Sequence, residues 1–150
     1  MTGKNSSAAQ NWLSATSAAW RSCLRKKPGL RNDGRYTAAE NIADLGGFLI
    51  AYDMYTQYLN NAGFFGEQFD LQRKRFYEAY GWLWHSKYSA AYAEARTNGI
   101  NDEGAMKDEH SLPRERTNGI VANTDDWYKL FNIKESDKLY RKTEDRIRIW

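Results

Sequence analysis

The sequence predicts a mainly α-helical chain, on three observations. Apolar residues recur at spacings of three, four and seven over two long stretches, which is a helical period. Each stretch closes on an Asn/Gly stop signal. No segment reads as a strand. At 150 residues the chain has the length of one ordinary domain, and 15% aromatic residues give it bulky core material.

Residues 1–10 are small and polar and read as a disordered terminus. Residues 11–26 read as a short helix, with Trp12, Leu13, Ala19, Trp20, Cys23 and Leu24 forming a loose stripe and basic residues at its end. Pro28-Gly29 stops it, and Asn32-Asp33-Gly34 is a turn signal. Thr37 is then the expected N-cap of a long helix, with Glu40 three residues on completing a capping box. That helix is expected over about 38–60, buried along Ile42, Leu45, Leu49, Tyr52 and Leu59, and ended by Asn60-Asn61-Ala62-Gly63.

A second long helix, antiparallel to the first, is expected over about 70–96. Its stripe would be Leu71, Phe76, Tyr80, Leu83, Trp84, Tyr88, Ala91 and Ala95. Ile100 to Asn118 is polar and irregular and reads as a loop. Asn123-Thr124-Asp125-Asp126 should cap a short helix from Trp127 to Asn132. The charged tail ends in Ile147, Ile149 and Trp150, apolar residues expected to dock on the body.

Composition narrows the function classes. The longest apolar run, Gly46 to Tyr52, is far short of the ~20 residues of a membrane span. Met1-Thr2-Gly3-Lys4-Asn5 lacks the apolar core of a signal peptide. One cysteine, Cys23, excludes an intrachain disulfide and a cysteine-rich zinc site, and it reads as a small core residue. Residues 1–35 carry seven Lys/Arg against one acid, whereas the remainder is mildly acidic. A basic arm of this kind suits an acidic partner, but Arg25-Lys26-Lys27 reads more simply as a solvated helix end, and no nucleic-acid partner is assigned. Arg73-Lys74-Arg75 beside Phe76 and Tyr77 reads equally well as a solvated basic face, and His85 as a helix residue with one polar contact.

The stretch that carries chemistry is Glu40-Asn41-Ile42-Ala43-Asp44-Leu45-Gly46-Gly47. Glu40 and Asp44 are four apart, so a helix sets them on one face about 6 Å apart along its axis. Spacing alone leaves two readings open: a solvated acidic face, or one carboxylate on a metal with the other orienting a neighbouring ligand. Two glycines inside a helix cost about 1 kcal/mol each, which points to close approach by another helix or backbone.

This octet resembles the third-ligand motif of the neprilysin and endothelin-converting-enzyme family of zinc metallopeptidases. Downstream, Asp108-Glu109-His110-Ser111-Leu112-Pro113-Arg114-Glu115-Arg116-Thr117-Asn118-Gly119 is similar to that family's Asp-x-His-Ser-Pro segment with its following Arg-x-Asn-Gly. Leu112-Pro113 departs from the family, which usually places proline first, and this would bend the loop differently. Phe131-Asn132-Ile133-Lys134 and Asp145-Arg146-Ile147-Arg148-Ile149-Trp150 resemble the end of bacterial members; Ile147 stands where vertebrate members carry a cysteine. The likeness is close over about 28–150 and weaker over 11–27.

The resemblance implies the C-terminal helical part of a thermolysin-like, gluzincin catalytic domain, spanning 1–150 as a partial domain. It implies zinc as cofactor and peptides as substrates, cut on the amino side of apolar residues. It further implies that Glu40 is a zinc ligand and that Asp44 orients a zinc-binding histidine. His110 would stabilise the transition-state oxyanion, Asp108 would orient His110, and Arg116 would hold a substrate carbonyl. The family's His-Glu-x-x-His helix, which supplies two zinc ligands and the general base, has no counterpart here; the only histidines are His85 and His110. A catalytic zinc needs about three protein ligands, so the expected partner is an upstream half-domain carrying His-Glu-x-x-His. The alternative reading is a non-catalytic remnant or interaction module from a truncated or split peptidase gene.

Overall fold

In the computed structural model of the protein, residues 35–98 and 108–150 are described. The expected features within 1–34, Cys23 among them, and the stretch 99–107 lie outside those residues. Among the described residues there are helices and turns and no strand. The helices are α1 (Ala38–Asn61), α2 (Gly66–Leu83), α3 (Ala90–Asn98), α4 (Pro113–Val121) and α5 (Asp125–Leu130), followed by a single 3-10 turn at Thr143–Asp145. None of them is long and apolar enough to cross a membrane.

Helix α1 follows its expectation closely. Asn41, Leu45, Phe48, Tyr52 and Leu59 are buried along one stripe, with Ile42 and Leu49 half-buried beside it. Thr37 is the N-cap residue, but no capping box forms. Its hydroxyl instead accepts a hydrogen bond from Asn41 Nδ2 at 3.0 Å. The far end closes as a Schellman motif: Phe64 N–H donates to Leu59 O and Gly63 N–H to Asn60 O, with Gly63 at φ +79°. Glycine adopts that left-handed backbone without the clash a Cβ would bring.

Helix α2 returns antiparallel to α1. Tyr55 stacks on Phe76, Tyr52 meets Tyr77, and Phe48 meets Tyr80, so the pairing runs backward along one helix as it runs forward along the other. Phe48 is the hub, with ring centroids 4.8 to 5.4 Å from Tyr80, Tyr77 and Phe76. Helices α4 and α5 close the open side of this pair through Ile120, Val121, Trp127, Tyr128 and Leu130.

The single helix expected over 70–96 is instead two. It begins earlier, at Gly66, and stops at Leu83, with Trp84 as its C-cap. Ser89 then starts α3, its hydroxyl accepting from Tyr92 N–H at 3.1 Å. That bond caps the first turn of the new helix, as serine does at helix starts. The buried stripe is corrected with it. Tyr77 and Ala93 are buried, and Phe76, Tyr80 and Trp84 half-buried, whereas Leu71, Leu83, Ala91 and Ala95 are exposed. His85, outside both helices, is exposed and lies against the Trp82 ring.

The loop expected through Asn118 gives way to α4. Pro113 occupies its first turn, where the missing N–H costs nothing, and Leu112 before it is extended, as a residue preceding proline prefers. The Leu112-Pro113 order therefore starts a helix at Pro113, and Leu112 is buried. The short helix α5 starts two residues before its expected position. Thr124 is its N-cap residue but turns its hydroxyl back to Val121 O and accepts from Tyr77 OH.

The tail docks as expected through Ile147, which is buried, and Ile149, while Trp150 is 74% exposed. Asn123 Oδ1 accepts from both Ile147 N–H and Arg141 Nη1. Arg146 pairs with Asp125 at 2.6 Å and lies 3.6 Å over the Tyr128 ring. Ile149 and Trp150 then reach Gly46, where an added Cβ would stand 3.7 and 3.8 Å from them. Nothing lies within 4 Å of a Cβ placed on Gly47, so among the described residues the expected close approach is absent there.

Two stability outcomes follow. Phe48→Ala should cost about 3–5 kcal/mol in urea unfolding, because four aromatic neighbours lose their common partner. Gly47→Ala should stabilise the chain by roughly 0.5–1 kcal/mol, since alanine relieves the helix penalty of glycine and meets open space.

Candidate functional site

The first two turns of α1, the segment 108–112 and the start of α4 bring all five sequence-predicted site residues to one face. Glu40 lies in the first turn of α1, with its side chain 34% exposed. Its Oε2 is 3.1 Å from His110 Nε2. The other ring nitrogen, Nδ1, is 3.0 Å from Asp108 Oδ1, and the same oxygen accepts from His110 N–H at 2.8 Å. A carboxylate thus holds the imidazole from its own loop, and a second carboxylate meets it from α1. With Nδ1–H given to Asp108, Nε2 donates a proton only in the imidazolium form.

Asp108 has a second partner that the sequence reading missed. Arg96, from α3, forms an ion pair with its Oδ2. Partial burial alone would raise the Asp108 carboxyl. The hydrogen bonds from the His110 backbone and ring, with the Arg96 charge, outweigh it and hold the carboxyl below the ordinary carboxylate range.

One turn further along α1, Asp44 is gripped by Arg116 through two parallel bonds, Nε to Oδ2 at 2.6 Å and Nη2 to Oδ1 at 2.5 Å. Both side chains are mostly buried, 13% and 17% exposed. The guanidinium plane lies 3.8 Å over the Trp84 ring. Tyr80 OH donates to Arg116 O at 3.2 Å. Its phenol is pushed up to about 12, first by burial and then by the nearby Asp44 charge. In the sequence Trp84 and Tyr80 read as part of a core stripe, and the one signal for their place here is that they sit four apart toward the end of α2. The fork spends two of its five N–H donors on Asp44, and each Asp44 oxygen keeps a further lone pair.

The donor set accounts for part of a zinc site. Among the described residues, no three His, Cys, Asp or Glu side chains group so as to hold a metal ion. Glu40 offers one oxygen donor of a kind zinc accepts, and Asp44 a carboxylate one turn away. The residues fit a share in a site, short of the three ligands a catalytic zinc takes. Arg73 is spent inside the fold on Asp70 and Asp126, which removes it from a phosphate-binding face.

Replacing Arg116 by Lys should cost about 3 kcal/mol or somewhat less in urea unfolding at neutral pH, since an ammonium cannot reproduce the fork or the stack on Trp84 and leaves Asp44 poorly paired. For Asp108 the folded-state value lies below the unfolded 3.8. Its contribution to stability is therefore present above that pH and lost as pH falls through the folded value. The stability gap between the wild-type chain and Asp108→Asn should accordingly narrow in urea titrations as the pH is taken progressively below 3.8, and a gap that widens with acid would contradict this.

The chain is similar to known proteins over most of its length. The family profile of peptidase family M13 matches residues 1–147, which extends the likeness over the N-terminal segment where it had been weak. The neutral endopeptidase of Lactococcus lactis subsp. lactis is 27% identical over 118 residues, covering 79% of this chain and 16% of that protein. The neutral endopeptidase of Lactobacillus helveticus is 30% identical over 118 residues, 79% of this chain and 15% of its own length. The crystal structure of the Mycobacterium tuberculosis zinc metalloprotease Zmp1 with an inhibitor superposes with a TM-score of 0.76 at 28% identity, over 99% of this chain and 22% of that one. The cryo-EM structure of its open state gives a TM-score of 0.72 at 31% identity. The chain spans about a sixth to a fifth of the length of these relatives. Its helices correspond to the helical part of a zinc metalloprotease catalytic domain, and the chain belongs to peptidase family M13.

Proposed function

We propose that this chain is the C-terminal part of a zinc metalloendopeptidase catalytic domain, and that residues 1–150 act with a segment carrying His-Glu-x-x-His. The observation that carries the reading is the convergence of Glu40, His110, Asp108, Asp44 and Arg116 on one face from two segments some 70 residues apart. Chance clustering of solvated charges would not pair Asp44 with Arg116 through two bonds in a mostly buried setting.

In this reading Glu40 gives a carboxylate oxygen to zinc, and Asp44 uses its remaining lone pairs to orient a histidine ligand from the partner segment. Bound zinc supplies Lewis-acid polarisation of the scissile carbonyl and the attacking water. His110 presents Nε2–H to the oxygen on which negative charge develops. Asp108 fixes the ring's rotation through Nδ1. Arg116 holds a backbone carbonyl of the peptide with the donors left after Asp44, and the Trp84 ring beneath sets the orientation of its guanidinium plane. A substrate carbonyl arriving at Nε2 takes the place of the Glu40 oxygen that now lies 3.1 Å away.

The remainder of the domain has a surface to dock on. Ala43, Gly47, Ile50 and Met54 lie exposed along α1 beside the site, and Gly47 leaves room for a backbone. Alone, the chain should bind zinc weakly and cleave no peptide above background. With the His-Glu-x-x-His segment supplied, zinc-dependent cleavage should appear, and His110→Ala should then lower kcat about 10²–10³-fold. Arg116→Ala should raise KM as well, since a carbonyl clamp acts in ground and transition states alike. Steady-state kinetics on the assembled pair measure both, and an unchanged kcat in His110→Ala would sink the assignment.

A further inference from the structure

Three buried polar side chains join the two segments of the site, and none has a role in the reading above. Thr37, Asn41 and Ser111 are 0%, 1% and 2% exposed. Ser111 Oγ donates to Asn41 Oδ1 at 2.8 Å, and Asn41 Nδ2 donates to Thr37 Oγ1 at 3.0 Å. Two of the three are chain neighbours of a site residue: Asn41 follows Glu40, and Ser111 follows His110.

Apolar residues at these places would bury as much surface without the cost of desolvating an amide and two hydroxyls. What they would lack is direction. An apolar contact tolerates sliding, whereas a buried hydrogen bond sets distance and angle together and is costly to leave unmade. His110 needs such a constraint. Its ring is turned by Asp108, but Asp108 belongs to the same short segment, so that bond sets the ring's rotation and leaves open where the segment stands relative to α1. The Ser111–Asn41 bond crosses between the two.

The geometry points to Asn41 and Ser111 as positioning residues for His110: their bond sets how far Nε2 stands from Glu40 and from whatever oxygen is presented there. The inference rests on the proposed function for what His110 does to a substrate, but not for how the ring is placed.

Two measurements test it. In the enzyme assembled with the His-Glu-x-x-His segment, Ser111→Ala should lower kcat about tenfold with KM nearly unchanged, part of the ~10²-fold loss that a 1 Å misplacement brings. Ser111→Thr, which keeps the hydroxyl, should restore most of it. The Ser111→Ala/Asn41→Ala double variant should be no slower than the slower single variant, because both remove the same Ser111–Asn41 bond. In this chain by itself, Ser111→Ala should speed amide hydrogen exchange at Glu109–Leu112 about tenfold or more, with α1, α2 and α5 unchanged; His110→Ala should not. Unchanged exchange, or a kcat loss that Ser111→Thr shares, would overturn the positioning role, and Ser111→Ala decides it even if Asn41→Ala fails to fold. An unaltered kcat in His110→Ala would instead remove the proposed function, while the exchange result still decides whether Ser111 anchors the segment.

Discussion

The paired bonds between Asp44 and Arg116 are the constraint on which the rest of the site depends. Both charges are largely withdrawn from water, so each needs the other; a lone carboxylate there would be costly. A guanidinium meets both carboxylate oxygens only in one relative orientation. That orientation fixes α4 against the second turn of α1. Trp84, the C-cap of α2, lies beneath the guanidinium, and Tyr80 adds a hydrogen bond to the α4 backbone. The segment bearing Asp108 and His110 enters α4 directly, so the same pair holds its C-terminal end.

Around this point the fold divides its labour. Aromatic packing between α1 and α2 supplies bulk stability, with Phe48 at its centre. Hydrogen bonds and ion pairs at its rim set register. Tyr52 OH and Arg73 both reach Asp126, which ties α5 to the helix pair. Asp125 and Asn123 hold the tail. The site is built mainly from the second class of contact, on a scaffold made by the first.

The sequence was most legible where period and punctuation agree. Helix α1 runs within a residue or so of its expected bounds because its apolar stripe and its Gly63 stop speak together. The continuous 70–96 helix is broken after Leu83, and Ser89 caps its restart, a signal that periodicity does not weigh. Helix α4 was hidden by its polar composition, Arg-Glu-Arg-Thr-Asn; only Pro113 at the start signalled it. The five candidate site residues were named through resemblance to a peptidase family, and the structure brings them to one face. Arg96, Asn41 and Ser111 escaped, because their meaning lies in partners outside their own segments.

The bonds that assemble the site close very large loops. Asp44–Arg116, Asn41–Ser111 and Tyr52–Asp126 span 72, 70 and 74 residues. Loop closure must be met before such contacts return anything, so they form late relative to local helix. During synthesis, α1 with Glu40 leaves the ribosome long before α4 exists to grip it. A nascent chain therefore carries its acidic helix without the arginine and histidine that complete the face. Whatever chemistry the finished face takes part in is withheld until the last third of the chain has emerged.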